Sequence, residues 1–130
     1  MNKRGVTLLE LLIVVIIIGV LATLATVSYT GIKEDTVDKE AKANLRLILA
    51  AQRIYRMELG VYYQAADTGE INTNLRLVLP TGGTPNWNYI TTANAGTTCC
   101  GQATRNIPGG KNWRKRYPET VPDIDLGTCP

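Results

Sequence analysis

The chain of 130 residues contains no histidine and no phenylalanine, and its first proline is Pro80. Lack of histidine removes the commonest general base near neutral pH and the commonest metal ligand. The three cysteines, Cys99, Cys100 and Cys129, with no histidine beside them, argue against a zinc site. No glycine-rich phosphate loop and no nucleophile motif is present, so the sequence reads as a non-enzyme without a cofactor. Charge is missing altogether from residues 11–32. Such a stretch suits lipid rather than water.

Against that background the one carboxylate near the start of the apolar run, Glu10, needs a reason. Burying a carboxylate in hydrocarbon costs several kcal/mol, and such a residue is by default a functional one. Residues 6–32 number 27 and as a helix would extend about 40 Å, more than the roughly 30 Å of a bilayer's hydrocarbon core. Lys3 and Arg4 precede the run, which orients the N-terminus toward the cytoplasm and the remainder outward. The block Ile13-Val14-Val15-Ile16-Ile17-Ile18 would suit a strand in water. In lipid the backbone must satisfy itself, so it reads as helix. A cleaved signal peptide fits poorly, because the apolar stretch is too long and no A-x-A site closes it.

The run Lys3-Arg4-Gly5-Val6-Thr7-Leu8-Leu9-Glu10-Leu11-Leu12 resembles the N-terminal motif of type IV pilins and type II secretion pseudopilins. The resemblance implies that prepilin peptidase, a membrane aspartyl protease, cuts between Gly5 and Val6 and that the new N-terminus is methylated. Glu10 then becomes the family's glutamate, fifth in the processed chain. The new α-amino group, with a reference pKa of about 7.7–8.0, is largely protonated at neutral pH. A neighbouring subunit's Glu10 can pair with it in low dielectric, and only one axial register satisfies both charges. Two positions depart from the family pattern. Val6 stands where phenylalanine is usual, and Val27 where many relatives have a helix-kinking proline. Loss of Lys3 and Arg4 leaves 14 − 2 = 12 positive against 11 negative charges, a net of +1, which argues against nucleic acid as a partner.

Residues 33–60 continue as an amphipathic helix with Val37, Ala41, Leu45, Ile48, Leu49, Gln52, Tyr55 and Leu59 on one face and Gly60 as its stop. The acidic residues Glu34, Asp35, Asp38 and Glu40 crowd its start and are candidates for meeting basic groups of a neighbour. With no proline between, one helix of about 80 Å can run over residues 6–59, too long for a small domain to bury alone. Beyond Gly60 residues 72–79 fit a short helix or a strand, with the helix favoured, followed by a turn around Gly82 and Gly83 and strands over 86–92, 100–106 and 111–117. These strands would form a small antiparallel sheet on the helix's apolar face.

An exported head lies in an oxidising compartment, where a disulfide is expected. Adjacent residues of a strand point to opposite faces, so only one of Cys99 and Cys100 easily reaches Cys129, and the sequence does not choose. A vicinal Cys99–Cys100 bridge and a thiol left to link subunits are further arrangements. Closing the loop of about thirty residues is worth about 3–4 kcal/mol in the chain-entropy model. The basic run of residues 111–117, with Trp113 and Tyr117, reads as a solvated strand whose aromatics pack inward rather than as a DNA-binding tip. Glu119, Asp123 and Asp125 resemble the calcium loop of major pseudopilins only weakly and read as a solvated tail.

The fold class is therefore α+β and pilin-like. Residues 1–5 form a leader, 6–32 a transmembrane and filament-core helix, 33–60 its amphipathic continuation, and 61–130 the head. The expected role is a filament subunit of a type IV pilus, with a pseudopilin of a type II secretion system as the alternative and a permanently anchored binding module behind it. Expected partners are like subunits in a homopolymer, prepilin peptidase, the inner-membrane assembly platform and, before assembly, membrane lipid. The protein would reside in the inner membrane and then in an extracellular or periplasmic filament.

Overall fold

The computed structural model describes residues 5–83, 85–94, 97–117 and 124–129, the side chains at 26–28 and 30 excepted. Its elements are α1 (Leu8–Leu59), α2 (Thr68–Asn74), β1 (Trp87–Asn94), β2 (Thr98–Arg105), β3 (Asn112–Tyr117) and β4 (Asp125–Leu126). The fold is α+β and pilin-like, with a long apolar helix at the N-terminus and a small antiparallel sheet after it. The chain divides into two compact units, Met1–Thr36 and Val37–Pro130.

The first unit is helical from Leu8 onward. Its stretch Leu8–Ala25 is long and apolar enough to cross a membrane, and none of it is buried. Two hydroxyls here turn back on the helix. Thr23 Oγ1 donates to the Val20 carbonyl at 2.7 Å, and Thr36 Oγ1 to that of Ile32 at 2.8 Å. Such back-bonding satisfies polar atoms without water. The α-helical backbone is continuous through Gly19, Val27 and Gly31, so the absent proline is not replaced by a glycine break.

In the second unit, α1 presents one face to the sheet. Val37, Ala41, Leu45, Ile48, Leu49 and Gln52 are buried, as their spacing predicts, but Leu59 at the end of the same face is exposed. Gly60, at φ 79°, stops the helix by donating its N–H to the Arg56 carbonyl at 2.8 Å, a left-handed conformation that glycine adopts without penalty. The buried Gln52 is fully used. Its side-chain amide donates to the Tyr63 carbonyl at 2.6 Å and accepts the Tyr63 N–H at 2.9 Å, and it also reaches Thr91 Oγ1 at 3.2 Å. One side chain thereby ties α1 to the segment after Gly60 and to β1.

The sheet is an antiparallel meander in the order β1-β2-β3-β4. Trp87 pairs with Arg105 and Asn94 with Thr98 across the first hairpin, and Cys99 with Tyr117 across the second. Trp87, Tyr89 and Ala103 fill the core with Leu45, Ile48 and Ile71, and the Trp87 indole donates to the Val37 carbonyl at 2.9 Å. Sheet and helix approach closely at Gly101, where a Cβ would lie 3.3 Å from Leu45 Cδ2.

The three expected strands are present with ends shifted by one or two residues, and β4 is an addition. A strand of two residues has no alternation to read. The helix expected over 72–79 is instead α2, four residues earlier. Asp67, at its N-cap, accepts the Glu70 N–H at 2.8 Å, and Glu70 accepts the Ala66 N–H at 2.8 Å. The helix cannot continue, since Arg76 sits at φ 53° and the Asn72 amide holds both the N–H and the carbonyl of Leu79. Leu75 and Leu79 are consequently buried from a loop, while Val78 between them is 97 % exposed.

Candidate processing and assembly site

Gly5, Val6 and Thr7 precede α1 in non-helical backbone, and all three are exposed. A Cβ added at Gly5 would meet nothing within 4 Å, and its φ lies outside the left-handed region. Neither packing nor backbone geometry requires glycine at this position. Thr7 opens the helix: its Oγ1 accepts the Glu10 N–H at 3.3 Å, and its carbonyl accepts the N–H groups of Glu10 and Leu11 at 3.1 and 3.2 Å. Thr7-Leu8-Leu9-Glu10 has the spacing of a capping box, a helix-start signal carried by the sequence itself. Glu10 thus stands in the first turn, where the helix dipole favours negative charge. Its carboxylate is exposed and makes no side-chain bond with another described residue. Lys3 and Arg4 lie outside the described residues.

In the head the cysteine choice is resolved. Cys100 is bonded to Cys129, with Cα atoms 5.9 Å apart, and the Cys129 N–H donates to Gln102 Oε1 at 2.7 Å. Cys99 is a free, buried thiol on the opposite face of β2, packed with Leu49 and Tyr62. Burial pushes the Cys99 thiol up to about 11, against the smaller opposing pull of Arg53 and Arg56. The vicinal bridge considered for Cys99 and Cys100 is not formed.

The charged clusters are largely consumed within the chain. Trp113 is half-buried against the core with Lys42 Nζ 4.1 Å over its ring, and Tyr117 lies under the Arg53 guanidinium at 4.3 Å. The aromatics of the basic run therefore pack inward, each with a cation already on its face. Asp38, expected to face a neighbour, accepts from Lys111 Nζ at 3.1 Å, and Glu40 accepts from Asn86 Nδ2 at 3.2 Å. Glu34 and Asp35 remain exposed. Asp125 is held by Arg114 at 2.8 Å, so this carboxylate of the acidic tail is engaged by a guanidinium. The other two acids of that tail, Glu119 and Asp123, lie outside the described residues.

Residues 1–26 match the family model of the prokaryotic N-terminal methylation motif. Over 66 residues, or 51 % of this chain, the sequence is 39 % identical to the type IV major pilin protein PilA of Myxococcus xanthus, and it spans 30 % of that relative's length. No solved structure matches. The matched motif lies over the exposed Gly5–Val6 junction and the capped, carboxylate-bearing first turn of an unburied apolar helix. The chain thus carries a prokaryotic N-terminal methylation motif and, over half its length, is similar to a type IV major pilin.

Proposed function

We propose that this protein is a structural subunit of a type IV pilus, cut by prepilin peptidase between Gly5 and Val6 and polymerised through its N-terminal helix. The observation that carries the reading is an apolar helix, unburied over Leu8–Ala25, whose first turn bears Glu10 just beyond an exposed glycine. Since the fold makes no demand for glycine at position 5, the demand is assigned to the protease. Hydrolysis of the Gly5–Val6 amide frees the Val6 amine, which at neutral pH is mostly an ammonium, and which the family methylates. In the membrane the subunit waits with its helix in lipid. On assembly the helix leaves lipid for a bundle of like helices, and the ammonium of one subunit pairs with Glu10 of another, setting the register. The inner-membrane assembly platform and the peptidase are its transient partners.

The major-pilin relative supports a surface pilus over the short periplasmic filament of a secretion system. Intact-mass spectrometry of sheared extracellular filaments and washed membranes tests both. A chain beginning at methylated Val6 and abundant in the sheared fraction is the expected result. The processed chain confined to membranes would make it a pseudopilin. An uncut chain, in a host with active peptidase, would return it to a permanently anchored binding module.

A further inference from the structure

In the unfolded chain nothing distinguishes the two candidate partners of Cys129. Cys100 lies 29 residues from it and Cys99 lies 129 − 99 = 30 away. Loop-closure entropy varies with the logarithm of loop length, so the two loops close with nearly equal probability. The choice must come from folded contacts, and the side chain that makes the most of them to the tail is Arg114. Arg114, on β3, lies on the same face of the sheet as its register partner Gln102 and as Cys100. Its Nε donates to both Asp125 oxygens at 3.0 and 3.1 Å, its Nη2 to Oδ2 at 2.8 Å, and its Nη1 to the Thr128 carbonyl at 2.9 Å. Between these contacts the tail turns at Gly127, whose φ of 149° and close approach to the guanidinium both favour glycine, since a Cβ there would lie 3.0 Å from Arg114 Cζ. The Gly127 N–H is taken by the Asn112 carbonyl at 2.9 Å, and the next residue but one is Cys129, received by Gln102.

We propose that Arg114 directs the disulfide: by gripping Asp125 and Thr128 it lays the tail across the Cys100 face of the sheet and so selects Cys100 over Cys99. The chemistry it steers is ordinary exchange with a disulfide oxidant of the glutathione class. The Cys129 thiolate attacks the oxidant, forming a mixed disulfide and releasing one reduced thiol. The Cys100 thiolate then attacks the Cys129 sulfur, forming the protein S–S bond and releasing the second. Two protein thiols are oxidised and one oxidant disulfide is reduced. Cys99, buried on the far side with its thiol held protonated, is kept out of this step once the head has folded. Arg114 is a positioning residue, and the inference does not depend on the filament reading.

The test is oxidation of the full chain in detergent micelles, from the reduced and denatured state, in a glutathione buffer. Free thiols are then alkylated, and fragmentation between residues 99 and 100 shows which one carries the label. Wild type is expected to be labelled at Cys99. In Arg114→Gln the ratio of Cys100–Cys129 to Cys99–Cys129 bridges is expected to fall about fivefold or more, the scale of a partly exposed charge-assisted bond. Asp125→Asn, which spares the Thr128 contact, should give an intermediate ratio. Wild-type labelling in Arg114→Gln would overturn the proposal and leave burial of Cys99 as the sole selector. Cys99→Ala with Arg114→Gln should still form Cys100–Cys129 with native emission from buried Trp87. Failure to regain that emission would overturn the proposal too, by making Arg114 a residue the fold itself requires.

Discussion

The single helix α1 carries two opposite kinds of surface. Over Leu8–Ala25 it is apolar on every side and buried nowhere, whereas between Val37 and Gln52 only one face is apolar and that face is covered by the sheet. A helix apolar all round needs surroundings that its own chain does not supply. An amphipathic helix with a sheet following it in sequence can complete its core alone. The contrast separates two sorts of information in one chain: the first segment specifies the medium it requires, and the second specifies particular contacts. It also sets the carboxylate of the first segment apart from those of the second unit. In the second unit, Asp38, Asp125 and Glu40 each have a nearby donor in the chain, while Glu10 has no side-chain bond among the described residues.

The contrast can be broken at several points, and the largest effect is expected at the junction before the helix. Gly5→Ala should abolish or greatly slow processing while leaving the fold unchanged, since the position has open space around it. Intact mass checks the first expectation, and normal cleavage would sink the processing site. Glu10→Ala should be inserted and processed yet yield few filaments by shearing, and wild-type yield would show that the charge pair is dispensable. Next comes a matched pair in the two surfaces. Leu45→Ala, at a fully buried position, should cost the head about 2–5 kcal/mol in denaturant unfolding followed by tryptophan emission, whereas Ile16→Ala should leave that transition in place. Equal effects would mean that the two surfaces are not independent. Gln52→Leu should cost about 1–3 kcal/mol, because it strands the Tyr63 N–H and leaves the Tyr63 carbonyl only its bond from Thr91 Oγ1.

The smallest effect is a pH dependence. Hydrogen bonding from Arg114 holds the Asp125 carboxyl below the usual carboxylate range, with its burial opposing. A carboxyl whose value is depressed by folding stabilises the folded state above its unfolded value and loses that contribution as pH falls through the folded one. Acid should therefore loosen the tail at a pH below the ordinary aspartate range, and Asp125→Asn should flatten that limb of an acid titration. An unchanged limb would show that the disulfide alone holds the tail.

Much of this protein was legible without coordinates. The α+β class, the long helix with its stop at Gly60, the buried face as far as Gln52 and three of the strands follow from periodicity and glycine placement, which are local properties of the chain. The methylation motif is likewise a matter of fixed offsets from an apolar run. The caps at Thr7 and Asp67 are equally local signals, and the Asp67 cap is what starts the second helix at Thr68 rather than at Asn72. Other features lay beyond any local reading. Cys99 and Cys100 are equivalent until the sheet packs on α1 and decides which of the two faces the helix. Asp38 and Lys111 are 73 residues apart, and β4 is defined by its pairing with Trp113 and Arg114 of β3. Composition and periodicity decided which surfaces must be covered. Only tertiary structure decided which atoms cover them, because those partners meet through sheet register and a folded tail.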